Sequence, residues 1–237
     1  MRNVKTVAVG SGDSISAAPW QWQVSERTLI IQLGAIGRTL SWASLGGGIR
    51  LADTIINHQV ATDDRYAVDH PRRYLAEVAQ RLGLNPRMTA GMMTGADVHR
   101  VAFTIKREAD LIVAAWCTAG CSNALRVGDP ARVSIEAGTI NLAVAINRRL
   151  TSAAMVEALA IATEARTAAV LDAGILSSLS HRPATGTGTD CTVVASLAYG
   201  GAAQYCGKHT LIGELIGNAV LGSCAQALRP MERLSGD

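Results

Sequence analysis

The chain has 237 residues, of which 49% are hydrophobic and 17% charged, with a formal net charge of +3. That is too apolar for a disordered chain and long enough for one domain with a sizeable core. The positive charge is weak and scattered, and few aromatic residues lie among the Arg and Lys, so a nucleic-acid-binding surface is excluded as a leading reading.

In chain order, residues 1–27 read as a polar lead-in, and residues 28–237 as a single domain. The basic start at Met1–Lys5 is followed by Asp13 and polar residues, with no apolar core of a secretory leader. Residues 28–33 and 38–43 are short apolar runs around Gly34-Ala-Ile-Gly37, a pattern that predicts a β-hairpin. Gly46-Gly-Gly48 then breaks regular structure. Tyr74, Val78 and Leu82 carry helical spacing, and Pro71 suits the first turn, so a helix is expected over 71–82.

Residues 98–106 and 109–117 predict a second hairpin, turning at Arg107-Glu108. Loops follow at 118–123 and 127–130. Residues 139–146 form a continuous β-leaning run interrupted by Asn141, the pattern of a buried strand. Residues 151–173 predict the longest helix, opened by Thr151 and closed by Gly174. The helix is apolar almost all round and is expected to be buried. A Gly/Thr loop at 184–190 leads into a strand at Cys191–Leu197, and a last helix is expected over 210–228. The order of these elements predicts an α+β fold: a single domain with a mixed or antiparallel sheet packed by two long helices.

The longest apolar stretches do not span a bilayer. Residues 111–117 are too few, and residues 211–224 are broken by Glu214 and Asn218. The five Cys (117, 121, 191, 206, 224) have no framework spacing and read as free thiols in a reducing, cytoplasmic setting. A low-charge, Ala/Gly-rich chain of this kind is expected to bury surface against a second copy, as a homodimer or larger.

Several residues have chemical potential. Glu157 and Glu164 fall on nearly the same helical face, with Arg166 and Thr167 nearby. They can be proton shuttles, or members of a structural Glu–Arg pair or a solvated stripe. In Ala184-Thr-Gly-Thr-Gly-Thr-Asp190, Thr185, Gly186, Thr187, Gly188 and Thr189 can cradle a ligand with amides and hydroxyls, or form only a tight turn. The segment lacks the Lys and the following helix of an NTPase phosphate loop. His209 can serve as an acid or base, while the neighbouring Thr210 can simply cap the last helix. Ser122, Asn123, Asp129, Thr139 and Asn141 sit at strand ends and in loops, where binding residues gather. A buried Asn141 would need a partner. Cys117 and Cys121 have no second ligand pair, so no metal site is expected. A nucleophile-elbow signature is also missing.

The ordered series Gly46-Gly-Gly48, Asn57…Val60, Gly91-Met-Met-Thr94, Thr118-Ala-Gly…Ser122-Asn-Ala124, Gly128-Asp129, Gly138-Thr-Ile-Asn141, Thr163-Glu-Ala-Arg-Thr-Ala-Ala169, the 184–190 loop and Tyr205…Gly207-Lys-His-Thr210…Gly213-Glu-Leu-Ile-Gly217 resembles the adenosylcobinamide amidohydrolase (CbiZ) family. The resemblance runs from about residue 28 to about residue 225. It implies hydrolysis of the amide that joins the aminopropanol arm to the corrin ring, giving adenosylcobyric acid. The corrinoid would be substrate and not cofactor, and neither nucleic acid nor membrane would be a partner. Arg166 stands where the family pattern usually has Lys. The charge is kept, but Arg cannot relay a proton as Lys can. Cys121 stands where an aliphatic residue is expected.

Under that resemblance the expected catalytic residues are Glu164, Asp190, His209 and Arg166. Glu164, Asp190 or His209 would activate a water, with backbone donors from Gly186–Thr189 for the oxyanion. A covalent route through Ser122 or a loop Thr is the rival. The alternatives in function are a diverged member acting on another amide or lactam, and a corrinoid-binding module without turnover.

Overall fold

The structure is a computed structural model and describes residues 18–61, 63–131, 138–198 and 200–229. Among these residues ten strands and four α-helices follow one another. These are β1 (Gln21–Ser25), β2 (Thr28–Ser41), β3 (Gly48–Gln59), α1 (Arg65–Asp69), α2 (Pro71–Arg81), β4 (Thr89–Thr94), β5 (Ala102–Glu108), β6 (Leu111–Ala119), β7 (Ala124–Leu125), β8 (Ile140–Ile146), α3 (Ser152–Asp172), β9 (Gly186–Thr187), β10 (Cys191–Leu197) and α4 (Leu211–Ala227). The main sheet runs β4-β3-β2-β10-β8-β6-β5, with β1 added to β2. Parallel pairs β3/β4 and β8/β10 sit among antiparallel ones, so the sheet is mixed, as expected for an α+β fold.

The expected hairpin over 28–43 is instead one strand with a bend. Thr28–Gln32 pair with β1 on one edge and with β3 on the other. Past a bulge between Gln32 and Gly37, the same strand pairs with β10. Gly34 has φ +73°, and a Cβ there would lie 2.0 Å from the Pro19 carbonyl oxygen. The glycines thus permit a bulge that redirects the strand without reversing it.

The bend folds the sheet over on itself. Leu29, Ile31 and Leu33 of β2 and Ile55 of β3 pack against Ala114 and Trp116 of β6, Ala143 and Ala145 of β8, and Val193 and Ala195 of β10. Alternate residues point the other way: Ile30 and Ile56 meet Leu75, Val78 and Ala79 of α2. Opposite the fold, Val113, Ala115, Leu142, Val144 and Val194 meet α3 and α4. The domain is therefore layered helix, sheet, sheet, helix, with apolar contact at each boundary.

Both long helices begin where expected. Thr151 accepts from the Ala154 amide and Thr210 from the Gly213 amide, and Gly174, at φ +67°, follows α3. The face of α3 toward the sheet is lined by Ala154, Ala158, Ala162, Ala165 and Ala169, which lets the helix come close. Its outer face is open, contrary to the expectation of all-round burial: Val156 is 58% exposed. The β5–β6 hairpin is present, but it turns at Ala109-Asp110, with Ala109 at φ +51°, and residues 98–100 form a 3-10 turn. β1 falls inside the segment read as lead-in, held by pairing with β2. No helix among the described residues is long and apolar enough to cross a membrane.

Candidate active site

The 184–190 loop lies where the starts of β8 and β10 meet the end of β6. Register sets this: Asn141 pairs with Cys191 on one side and with Thr118 on the other. Asp190, just before β10, therefore reaches the backbone of Ile140. One carboxylate oxygen, Oδ1, accepts from the Ile140 amide at 2.9 Å and the Thr187 hydroxyl at 2.5 Å. The other, Oδ2, accepts from the Thr187 amide at 3.0 Å and faces Arg166 Nη1 of α3 at 3.6 Å. The Asp190 and Arg166 side chains are 8% and 9% exposed. A carboxylate so enclosed is held by donors on each oxygen, as a buried charge requires.

Arg166 is less completely matched. Its Nε and Nη1 donors are buried and make no hydrogen bond among the described residues. Gly186 makes room for the pair, since a Cβ there would stand 2.3 Å from Asp190 Oδ2. β9 pairs with β7, and Thr185 accepts the Val127 amide at 2.8 Å, so the loop is stitched to residues 124–127. Gly188 and Thr189 form its exposed tip.

Behind the tip, the Thr139 and Thr189 hydroxyls are 2.8 Å apart, and Thr189 donates to the Gly138 carbonyl at 3.0 Å. A Cβ on Gly138 would meet Asn123 Oδ1 at 2.3 Å, so this glycine lets the 118–123 and 138–141 segments touch. Ser122 is exposed beside them, while Asn123 is buried. Asn141 finds the partners that burial demands. It donates to Asn57 Oδ1 at 2.8 Å and the Met93 carbonyl at 2.7 Å, and accepts the Cys191 amide at 3.1 Å. Asn57 in turn donates to the Thr118 hydroxyl at 2.9 Å. This network joins the two sheet layers directly beneath the loop.

The remaining expected site residues lie elsewhere. Asp129 accepts from the Ser177 hydroxyl and the Arg126 amide. The Ser177 hydrogen bond, and then that of Arg126, holds its carboxyl below the usual carboxylate range. Glu164 points away from Asp190 and pairs with Lys208 on the surface, the two side chains 55% and 69% exposed. His209 is exposed next to Lys208. Glu157, the other acid of α3, accepts the Cys206 amide at 2.6 Å. The structure thus brings together Asp190, Arg166, Thr139, Asn141 and the Gly/Thr loop, and leaves Glu164, His209 and Asp129 outside that cluster.

Trp42 is a member that sequence reasoning missed. Its indole N–H donates to the Asp190 carbonyl at 2.7 Å, although the ring is 48% exposed. Its sequence signal is slight: a large aromatic residue just ahead of the glycine turn. The thiols beside the cluster are poor nucleophiles at neutral pH. Burial pushes Cys191 up to about 12 and Cys121 up to about 11. The Cys117 thiol is raised by its contact with Cys224 and by burial. Among the described residues, no group of three or more His, Cys, Asp or Glu side chains is placed to hold a metal ion.

Comparison with known proteins gives this arrangement a family. The family model described as adenosylcobinamide amidohydrolase matches residues 14–236. The chain is 32% identical to the adenosylcobinamide amidohydrolase of Halobacterium salinarum, over 78% of this chain and 77% of that one. It is 30% identical to an uncharacterized protein of Methanocaldococcus jannaschii, over 88% of each chain. Among solved structures, a Pyrococcus horikoshii protein aligns with a TM-score of 0.44 at 12% identity, covering 93% of this chain and 82% of its own. The L-aminopeptidase D-Ala-esterase/amidase of Ochrobactrum anthropi aligns with a TM-score of 0.39 at 9% identity, covering 88% and 82%. The chain belongs to the adenosylcobinamide amidohydrolase family.

Proposed function

We propose that this family member hydrolyses the amide joining the aminopropanol arm to the corrin ring of adenosylcobinamide, releasing adenosylcobyric acid and aminopropanol. The observation that carries the reading is the reach of the family match. It covers residues 14–236 and so takes in every residue of the Asp190 cluster.

In this reading the reaction takes place at the exposed Gly188–Thr189 tip, where the Thr189 hydroxyl, held from behind by that of Thr139, faces the substrate amide. A water attacks the carbonyl carbon, the C–N bond breaks, and the leaving amine takes up the proton that the water gives up. Backbone amides at the Gly188–Thr189 tip are the donors for a developing oxyanion, while Arg166, enclosed behind the loop, holds the Asp190 carboxylate. Asp190 acts as a positioning residue, because both of its oxygens already accept from Ile140 and Thr187. The corrinoid enters as substrate.

The test is incubation of purified protein with adenosylcobinamide, followed by mass spectrometry of the corrinoid. Formation of adenosylcobyric acid supports the proposal. Saturable binding without product would make the chain a corrinoid-binding module, and neither binding nor product would point to a different amide. Either result overturns the assignment.

A further inference from the structure

An opening lies apart from the Asp190 cluster. A cleft of about 980 Å³ separates the turn and first residues of β3 from the α1–α2 corner and the segment before β4. None of Asp190, Arg166, Thr139 or Thr189 lines it. Its volume is that of a site for an ordinary small ligand.

The charge on its walls is one-sided. Arg50 of β3, Arg72 and Arg73 of α2, and Arg87 of the segment before β4 line the cleft, against a single carboxylate, Asp69. Arg73 is engaged by Glu77 at 3.1 Å. Arg50, Arg72 and Arg87 have no carboxylate partner among the described residues. Guanidinium groups gathered around one space repel each other unless an anion occupies it.

The backbone adds to the same imbalance. α2 begins at Pro71 with no side-chain cap and no acid in its first turn, which instead carries Arg72 and Arg73. Cations at the positive end of a helix are the reverse of the usual arrangement. An oxyanion in the cleft would answer both the guanidinium cluster and the positive end of α2.

We propose that this cleft binds a small molecule carrying a phosphoryl group, through Arg50, Arg72 and Arg87. A diphosphate suits it better than a lone carboxylate. Three unpaired forks need more than one negative charge, and each fork matches two phosphate oxygens. The remaining volume is open to an organic moiety.

The experiment is calorimetric titration of the intact protein at 0.15 M salt with inorganic pyrophosphate, with ADP, and with citrate as a carboxylate control. Saturable binding of pyrophosphate or ADP is expected, weakened about tenfold in each of Arg72→Ala and Arg87→Ala. Lys106→Ala, which removes an exposed charge on β5, is expected to leave binding unchanged. These arginines are exposed, and circular dichroism of each variant checks that it is folded. Tighter binding of ADP than of pyrophosphate would show that the organic part fills the cleft, and equal binding that the phosphates alone are read. Either supports the proposal. Three results would overturn it: no saturable binding of either, citrate binding as tightly, or an equal loss in Lys106→Ala. The readout uses no corrinoid, so its failure is separate from failure of the amidohydrolase reading.

Discussion

Arg166 and Glu164 stand two residues apart on α3 and live in opposite surroundings. Two steps along a helix rotate a side chain by about 200°. Arg166 therefore turns into the domain, where its side chain is 9% exposed against Asp190, while Glu164 turns out to Lys208. The inner pair lies in low dielectric, with donors fixed around it. The outer pair lies in water, which screens it. Charge on a helix says little about chemistry until the face it occupies is known. The cluster that can organise a substrate is the one whose charges have been taken out of water.

Four experiments would break or sharpen this contrast. The largest effect is expected from Asp190→Ala, which strands the Arg166 charge and frees the Ile140 and Thr187 donors. Losing one member of a buried pair costs about 3 kcal/mol or more, to be read from urea denaturation. The less disruptive Asp190→Asn is expected to lower turnover of adenosylcobinamide by about a hundredfold while leaving a folded protein. A denaturation midpoint unchanged in the alanine variant would show that the pair is not the anchor described above.

Gly186→Ala comes next. Its new methyl would overlap Asp190 Oδ2, which lies 2.3 Å from the ideal Cβ position. Crowding of that kind costs about 1–3 kcal/mol and should displace the loop tip. Loss of stability and of turnover together is expected, and thermal melts with steady-state kinetics would check it.

A third effect depends on pH. Burial, then Arg81 and Arg27, hold His58 down to about 4, against 6.5 when unperturbed. The folded state thus resists a proton that the unfolded chain accepts. The stability contributed by neutral His58 is complete above pH 6.5 and is lost as the pH falls toward 4. His58→Gln, which does not titrate, should flatten that limb of the curve of melting temperature against pH. A limb as steep as before would assign the acid loss to other groups.

The smallest effect belongs to the outer pair. Glu164→Ala should change stability by less than about 1 kcal/mol, because exposed ion pairs contribute little. Turnover should stay within about threefold of the parent if the reaction is at the Asp190 cluster. A collapse of activity in Glu164→Gln would move the reacting centre to the α3–α4 surface.

Much of this was legible without coordinates, for a local reason. Thr151, Gly174 and Thr210 mark helix ends because caps act on amides or turns a few residues away. The run of β-formers at β8 is self-evident, and Asn141 within it signals a need for partners. Pro71 opens α2 as its fixed φ requires. The series of polar motifs carried the family, and the family match bears it out.

What the tertiary structure alone decided concerns residues far apart in the chain. Nothing local distinguishes a bulged strand from a hairpin at Gly34–Gly37. The choice lies with the partners, β1 and β10, that β2 meets on either side of the bend. Trp42 joins Asp190 across 148 positions, and Arg166 joins it from another element. Sequence alone determined which segments could be helix or strand and which loop was rich in hydroxyls and amides. The partner of each charge, and hence the separation of Asp190 from Glu164 and His209, was set by the register of β8 with β10 and the face of α3 laid on the sheet. Those are properties of packing, which no short window of residues contains.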